Sequence, residues 1–153
     1  MPDLFTHLVS ARVPGVFVRD RRIQALLVIG TFMPDIAFKG LFWVFQARQS
    51  FAISSHSLLG VVLISYLLCL FVEEAIRRPG FVALTAGGLI HLVVDLMKDN
   101  GGGGTVLFFL PFSTASTELG WIEPESAVIL IPIDAAILAA ALFLERRYLR
   151  VRQ

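Results

Sequence analysis

What most constrains this chain is a set of four apolar runs, 23–33, 54–72, 81–97 and 127–144, that contain no Lys or Arg. A soluble domain has to cover its surface with charge, about a quarter of its residues. Here only 16% of 153 residues are charged and 56% are hydrophobic. An ordinary cytosolic globule is excluded by too little charge, and a disordered chain by too much apolar surface. The length has room for a single domain, 1–153. A net charge of +1 leaves no nucleic-acid footprint, so no nucleic-acid partner is expected. The single cysteine, Cys69, excludes a disulfide framework and a Cys-rich zinc module. The class that remains is all-α, an integral membrane helical bundle of four to five helical segments.

The N-terminal stretch carries Asp3 where a signal peptide would be basic, and Arg12 and Pro14-Gly15 interrupt it. It reads as a short helix from about Leu4, kinked near Pro14, either spanning or re-entrant. The run 23–33 meets Pro34-Asp35. Either it stops there, at ~20 Å against a ~30 Å hydrocarbon core, or it continues through 41–45. The segment Phe42-Trp43-Val44-Phe45 suits a membrane interface. After 54–72, Pro79-Gly80 is expected to form the turn into 81–97. Four glycines at 101–104 read as a flexible turn, because no P-loop Lys-Ser/Thr follows them. An acidic stretch at 118–125 leads to the last run, in which Pro132 marks a kink.

Nine of the thirteen Lys and Arg fall in three clusters, 19–22, 77–78 and 146–152. Alternating segments place all three on one face, which the positive-inside rule assigns to the cytoplasm together with the C-terminus. The expected topology is therefore multi-pass.

The scarce polar residues then collect on the opposite, non-cytoplasmic side: His7, Asp35, His56, His91 and Asp95. Ionisable groups in a span are costly and usually face an interior or a wet cavity where they function. His91 and Asp95 are four residues apart and share a helix face. Imidazole and carboxylate together suit a divalent metal, zinc first, with manganese or iron also admitted by an N/O ligand set. For each residue there is a plainer reading: an interfacial hydrogen bond for a histidine, a His–Asp bond pinning a helix, a capping carboxylate at Asp35. The default for Asp134 is helix packing. Convergence of every histidine beside a carboxylate favours the metal.

At these residues the chain resembles a known family. Thr6-His7, Met33-Pro34-Asp35-Ile36, Ser55-His56-Ser57-Leu58, Gly88-Leu89-Ile90-His91-Leu92-Val93-Val94-Asp95 and Pro111-Phe112-Ser113 occur in the order found in YdjM-type inner-membrane proteins, described as metal-dependent hydrolases. A fainter similarity is to zinc-dependent phospholipase C and the single-strand-specific zinc nucleases. The resemblance implies His7, Asp35, His56, His91 and Asp95 as metal ligands, and a bacterial-type inner membrane as the localisation. Two motifs depart from the family. Its P-D-I-D-H is here Pro34-Asp35-Ile36-Ala37-Phe38, and its H-R-G-F-T-H-S is Phe51-Ala52-Ile53-Ser54-Ser55-His56-Ser57.

The expected activity is phosphodiester or ester hydrolysis at the non-cytoplasmic face, with Asp35, Glu118 or Glu125 as general base. Glu118, Glu123 or Glu125 are also candidates to replace the missing ligands. Membrane lipid is the expected partner. The alternative is a non-catalytic membrane subunit of a larger complex, in which the His/Asp site is residual or structural and aromatic segments contact protein partners. An ion path is a weaker third reading, since no repeat or broken-helix pair supports transport.

Overall fold

A computed structural model describes residues 4–46, 52–97, 99, 107–115, 117–123 and 127–150, with only the backbone at 4, 127–129 and 148–150. All regular structure among them is helical: α1 (Leu4–Gly15), α2 (Arg21–Lys39), α3 (Leu58–Cys69), α4 (Arg77–Leu96) and α5 (Ala127–Arg150). Shorter turns flank them: a π-helical turn at Gly40–Val44 and 3-10 turns at Ile53–His56 and Glu74–Ile76.

Asp20 starts α2. Its backbone is extended, and its side chain accepts a hydrogen bond from the Arg22 N–H at 2.8 Å, which satisfies a donor that has no acceptor within the helix. The helix runs on through Pro34, which is buried among neighbours, and the π turn carries it to Val44. Of the two courses open from sequence, the continuous one is adopted. A proline is tolerated inside a helix when surrounding elements hold the opened turn. The 24-residue rod Arg21–Val44 is long and apolar enough to cross a membrane, and so is the 23-residue Glu74–Leu96.

Two expected boundaries move. Pro79-Gly80 is not a turn; it lies in the first turn of α4, where a missing N–H costs nothing because no helical acceptor precedes it. The run 54–72 divides into a 3-10 turn and a 12-residue helix, α3, only about 18 Å long. Ser57 makes that division. Its hydroxyl donates to the Ser54 carbonyl at 2.7 Å and accepts from the Gly60 N–H at 3.0 Å. The last helix also passes its expected end and takes in Glu145-Arg146-Arg147. The glycines at 101–104 lie outside the described residues.

The helices α2 and α4 form the central pair, the most extensive contact in the molecule. They touch at Gly30 and Gly87. A Cβ on Gly30 would sit 2.3 Å from the Leu84 carbonyl oxygen, and one on Gly87 2.2 Å from that of Leu27. Within lipid, close backbone approach of this kind is what holds helices together, because burial of apolar surface gains little there. Small apolar clusters flank the crossing, Met33–Val61–Leu92 on one side and Ala11–Leu27–Ala83 on the other. Among the described residues the helix α5 packs chiefly on α1.

The interior is unusually polar. His7, Gln24, Thr31, His56, His91, Asp95, Asp134 and Glu145 are buried, while Leu63, Phe71, Val82, Val93 and Phe143 are exposed. That distribution suits a chain whose solvent is hydrocarbon.

Candidate metal centre

Four elements each bring part of one cluster. His7 comes from α1, Asp35 from the second half of α2, His56 from the last residue of the 3-10 turn, and His91 and Asp95 from α4. The i,i+4 pair of α4 meets as its spacing requires, with His91 Nε2 3.2 Å from Asp95 Oδ2. His56 Nε2 lies 3.3 Å from Asp35 Oδ1 and 3.6 Å from Asp95 Oδ2. His7 Nε2 is 3.6 Å from Asp95 Oδ1, and its ring stacks on His91 with centroids 4.2 Å apart. His91 is fully buried; the Asp35 side chain, 19% exposed, is the most open of the five.

The local fold dictates which nitrogen faces the cluster. His91 Nδ1 is 2.7 Å from the Thr31 carbonyl oxygen. A carbonyl only accepts, so Nδ1 carries a proton and Nε2 is the nitrogen turned inward to the cluster. The Gly30–Gly87 crossing makes that contact: Thr31 follows Gly30, and His91 is one turn beyond Gly87. His56 is oriented the same way. The Ser55 hydroxyl meets the Ala52 carbonyl at 3.0 Å and His56 Nδ1 at 3.0 Å, and His56 Nε2 is hydrogen-bonded to Asp35 Oδ1 at 3.3 Å. Both imidazoles thus have the outer hydrogen bond that metal-ligating histidines use to set tautomer and ring angle.

Two overlapping groups result, His7–Asp35–His91 and His56–His91–Asp95. In each, the ligand atoms lie within 4.8 Å of one another. Three nitrogen or oxygen ligands with room for a fourth match a zinc site that keeps a position for water. The chemistry of the set fits a cation: His91 Nε2 is buried and makes no hydrogen bond, although carboxylate oxygens face it.

All five residues expected as metal ligands come together. Glu118 is described but belongs to neither group; the backbone beside it closes the end of α4, with Leu119 N–H bonded to the Leu96 carbonyl at 2.7 Å. Glu123 is likewise in neither group, and Glu125 lies outside the described residues. Asp134 has the packing role expected of it, accepting a 2.6 Å bond from the Thr6 hydroxyl and so tying α5 to the residue next to His7.

Sequence reading missed Thr31 and Ser55. Thr31 contributes only its main chain and has no residue signature. The Ser beside His56 was visible, but its direction was not. Also missed was a second polar cluster at the other end, where Glu145 meets Arg12 and Arg21.

A family model described as YdjM inner membrane protein matches residues 1–151. No curated protein and no solved structure matches the chain.

Proposed function

The chain belongs to the YdjM inner membrane protein family. From that premise we propose that His7, Asp35, His56, His91 and Asp95 hold a divalent metal ion, zinc by ligand chemistry, in a membrane-bound metal-dependent hydrolase. The observation that carries the reading is the common direction of His56 and His91. Each ring is held at Nδ1 by a hydrogen bond and turns Nε2 towards the same two carboxylates.

Bound there, the ion supplies Lewis acidity to a phosphoryl or carbonyl oxygen and activates water near neutral pH. Asp35, the most accessible carboxylate of the five, is the group placed to take the proton of the attacking water. The stacked His7 and His91 rings and the edge of Phe38 against His56 (centroids 5.7 Å apart) keep the rest of the site dry.

The protein is multi-pass in this reading, with the basic end and the C-terminus cytoplasmic and the centre on the non-cytoplasmic side. Ion pairs support the grouping of the basic segments at one end: Arg22 with Glu73 at 3.1 Å and Arg21 with Glu145 at 2.7 Å. Exposed Trp43, Phe109 and Trp121 would then lie at headgroup depth, and a lipid-linked phosphodiester or ester is the substrate class.

Phe38 favours a second reading. It stands where the family's P-D-I-D-H has its histidine, and it packs on His56 where that ligand would be. A non-catalytic subunit of a membrane complex, with a structural metal, accounts for that replacement.

Metal analysis of the detergent-purified chain separates these readings. About one ion per chain, lost in His91→Ala, is expected for a site with a full ligand set. A metal-free wild type overturns the site itself. Hydrolysis of a generic phosphodiester that disappears in Asp95→Ala supports the enzyme. A metal-loaded, inert chain that co-purifies with other membrane proteins supports the subunit.

A further inference from the structure

Away from the metal centre, an open cavity of about 390 Å³ is lined by Arg12, Arg21, Gln24, Ala25, Val28 and Ile29. Positions 21, 24, 25, 28 and 29 follow the i, i+3, i+4, i+7, i+8 pattern and form one stripe along α2. Its charged end is the start of the helix. Its apolar end lies about 12 Å further along the axis, towards the middle of the span.

Charge at the polar end is uneven. Arg12 and Arg21 share one carboxylate, that of Glu145, which Arg21 meets at 2.7 Å. Gln24 Oε1 accepts from both guanidiniums, at 3.2 and 3.4 Å. Its amide is committed to the Gly15 and Val18 carbonyls, at 2.9 and 2.7 Å. Two cations against one anion leave a net positive charge beside the cavity among the described residues. The Arg21 side chain, 64% exposed, can turn further N–H donors to a ligand.

We propose that this groove binds an anionic phospholipid, with its phosphate on Arg21 and Arg12 and an acyl chain along Ala25, Val28 and Ile29. Charge complementarity and the order of polar and apolar groups along the stripe select this occupant. A guanidinium fork matches phosphate oxygens. A free phosphate would use only the upper half of the groove, and a zwitterionic lipid brings an ammonium that two arginines disfavour. None of these residues belongs to the His/Asp centre, so the proposal stands apart from the hydrolase reading.

Native mass spectrometry of the detergent-purified full chain, offered equal amounts of phosphatidylglycerol and phosphatidylcholine, tests it. About 25-fold preferential retention of phosphatidylglycerol is expected, from two basic contacts of about fivefold each. Arg21→Gln, at an exposed position, should lower that preference about fivefold. Ala25→Trp, which fills the apolar wall and keeps every charge, should lower retention of phosphatidylglycerol as well. Equal retention of the two lipids, or a preference unchanged in Arg21→Gln, overturns the proposal. So does retention that Ala25→Trp leaves intact and glycerol 3-phosphate competes away, since that result marks a headgroup-only anion site.

Discussion

Two regions of this bundle are polar in opposite senses. In the His/Asp centre, ligand atoms crowd together: the Nε2 atoms of His56 and His91 look onto oxygens of Asp35 and Asp95 at 3.2–3.8 Å, and only the His56–Asp35 contact is a hydrogen bond among these four. In the basic cluster, donors face acceptors: the guanidiniums of Arg12 and Arg21 look onto Glu145 and the Gln24 carbonyl oxygen. A donor–acceptor cluster fastens the helices that make it, and this one, with two cations on one carboxylate, keeps donors to spare. A cluster of imidazole nitrogens and carboxylates is held together chiefly by the surrounding fold and suits something positive. That is why the same cost, polar groups placed among apolar helices, suits a cation in one place and, in the other, fastens helices while leaving positive charge for an anion.

The comparison can be broken or sharpened by substitution. Gly30→Val should have the largest effect, because its side chain meets the Leu84 carbonyl at the α2–α4 crossing. A loss of about 3 kcal/mol or more is expected in detergent unfolding. Metal content should fall with it, since Thr31, whose carbonyl holds His91, is the next residue. Retention of both would show that the crossing does not position the centre.

Glu145→Ala should come next, at about 3 kcal/mol, because it strands the largely buried Arg12 charge. Metal stoichiometry of the folded fraction should be unchanged. If the ion is lost too, the two regions are coupled through α1 and are not independent.

Ser55→Ala leaves His56 in place but removes the hydrogen-bond partner of Nδ1. Metal affinity measured by competition with a chelator should weaken by about tenfold. Little change in unfolding is expected. An unchanged affinity would remove the tautomer argument for His56.

The smallest effect belongs to Asp20→Ala at the start of α2. The Asp20 carboxyl is held below the ordinary aspartate range, first by the hydrogen bond from the Arg22 side chain. A depressed folded value means the cap contributes fully above the ordinary range and is lost as pH falls through the lower one. The wild-type advantage in thermal unfolding should therefore be present at neutral pH and vanish in acid. An advantage that persists in acid would place its source elsewhere.

Much of the centre was legible in the chain because ionisable residues in apolar runs are few and expensive. His91 and Asp95 announced themselves by i,i+4 spacing, and Asp35 by standing at a proline within an apolar stretch. The path of α2 through Pro34 was not legible, because it depends on neighbours that hold the opened turn. Pro79-Gly80 misled for the same local reason: the pair that marks a turn in isolation also fits a first helical turn. Glu145 read as a charge at the end of a segment. Its burial arises from a partner, Arg12, 133 positions away in the chain.

The sequence by itself determined an all-helical, apolar chain with its basic clusters and its histidines kept apart, because composition and spacing are local properties. The tertiary structure alone decided which atoms share a point. Contacts such as Thr31 with His91, 60 residues apart, and Thr6 with Asp134, 128 apart, exist only once glycines let the central helices touch and α5 lies along α1. Ligand geometry and tautomer follow from distances between helices, and spacing along one helix does not contain them.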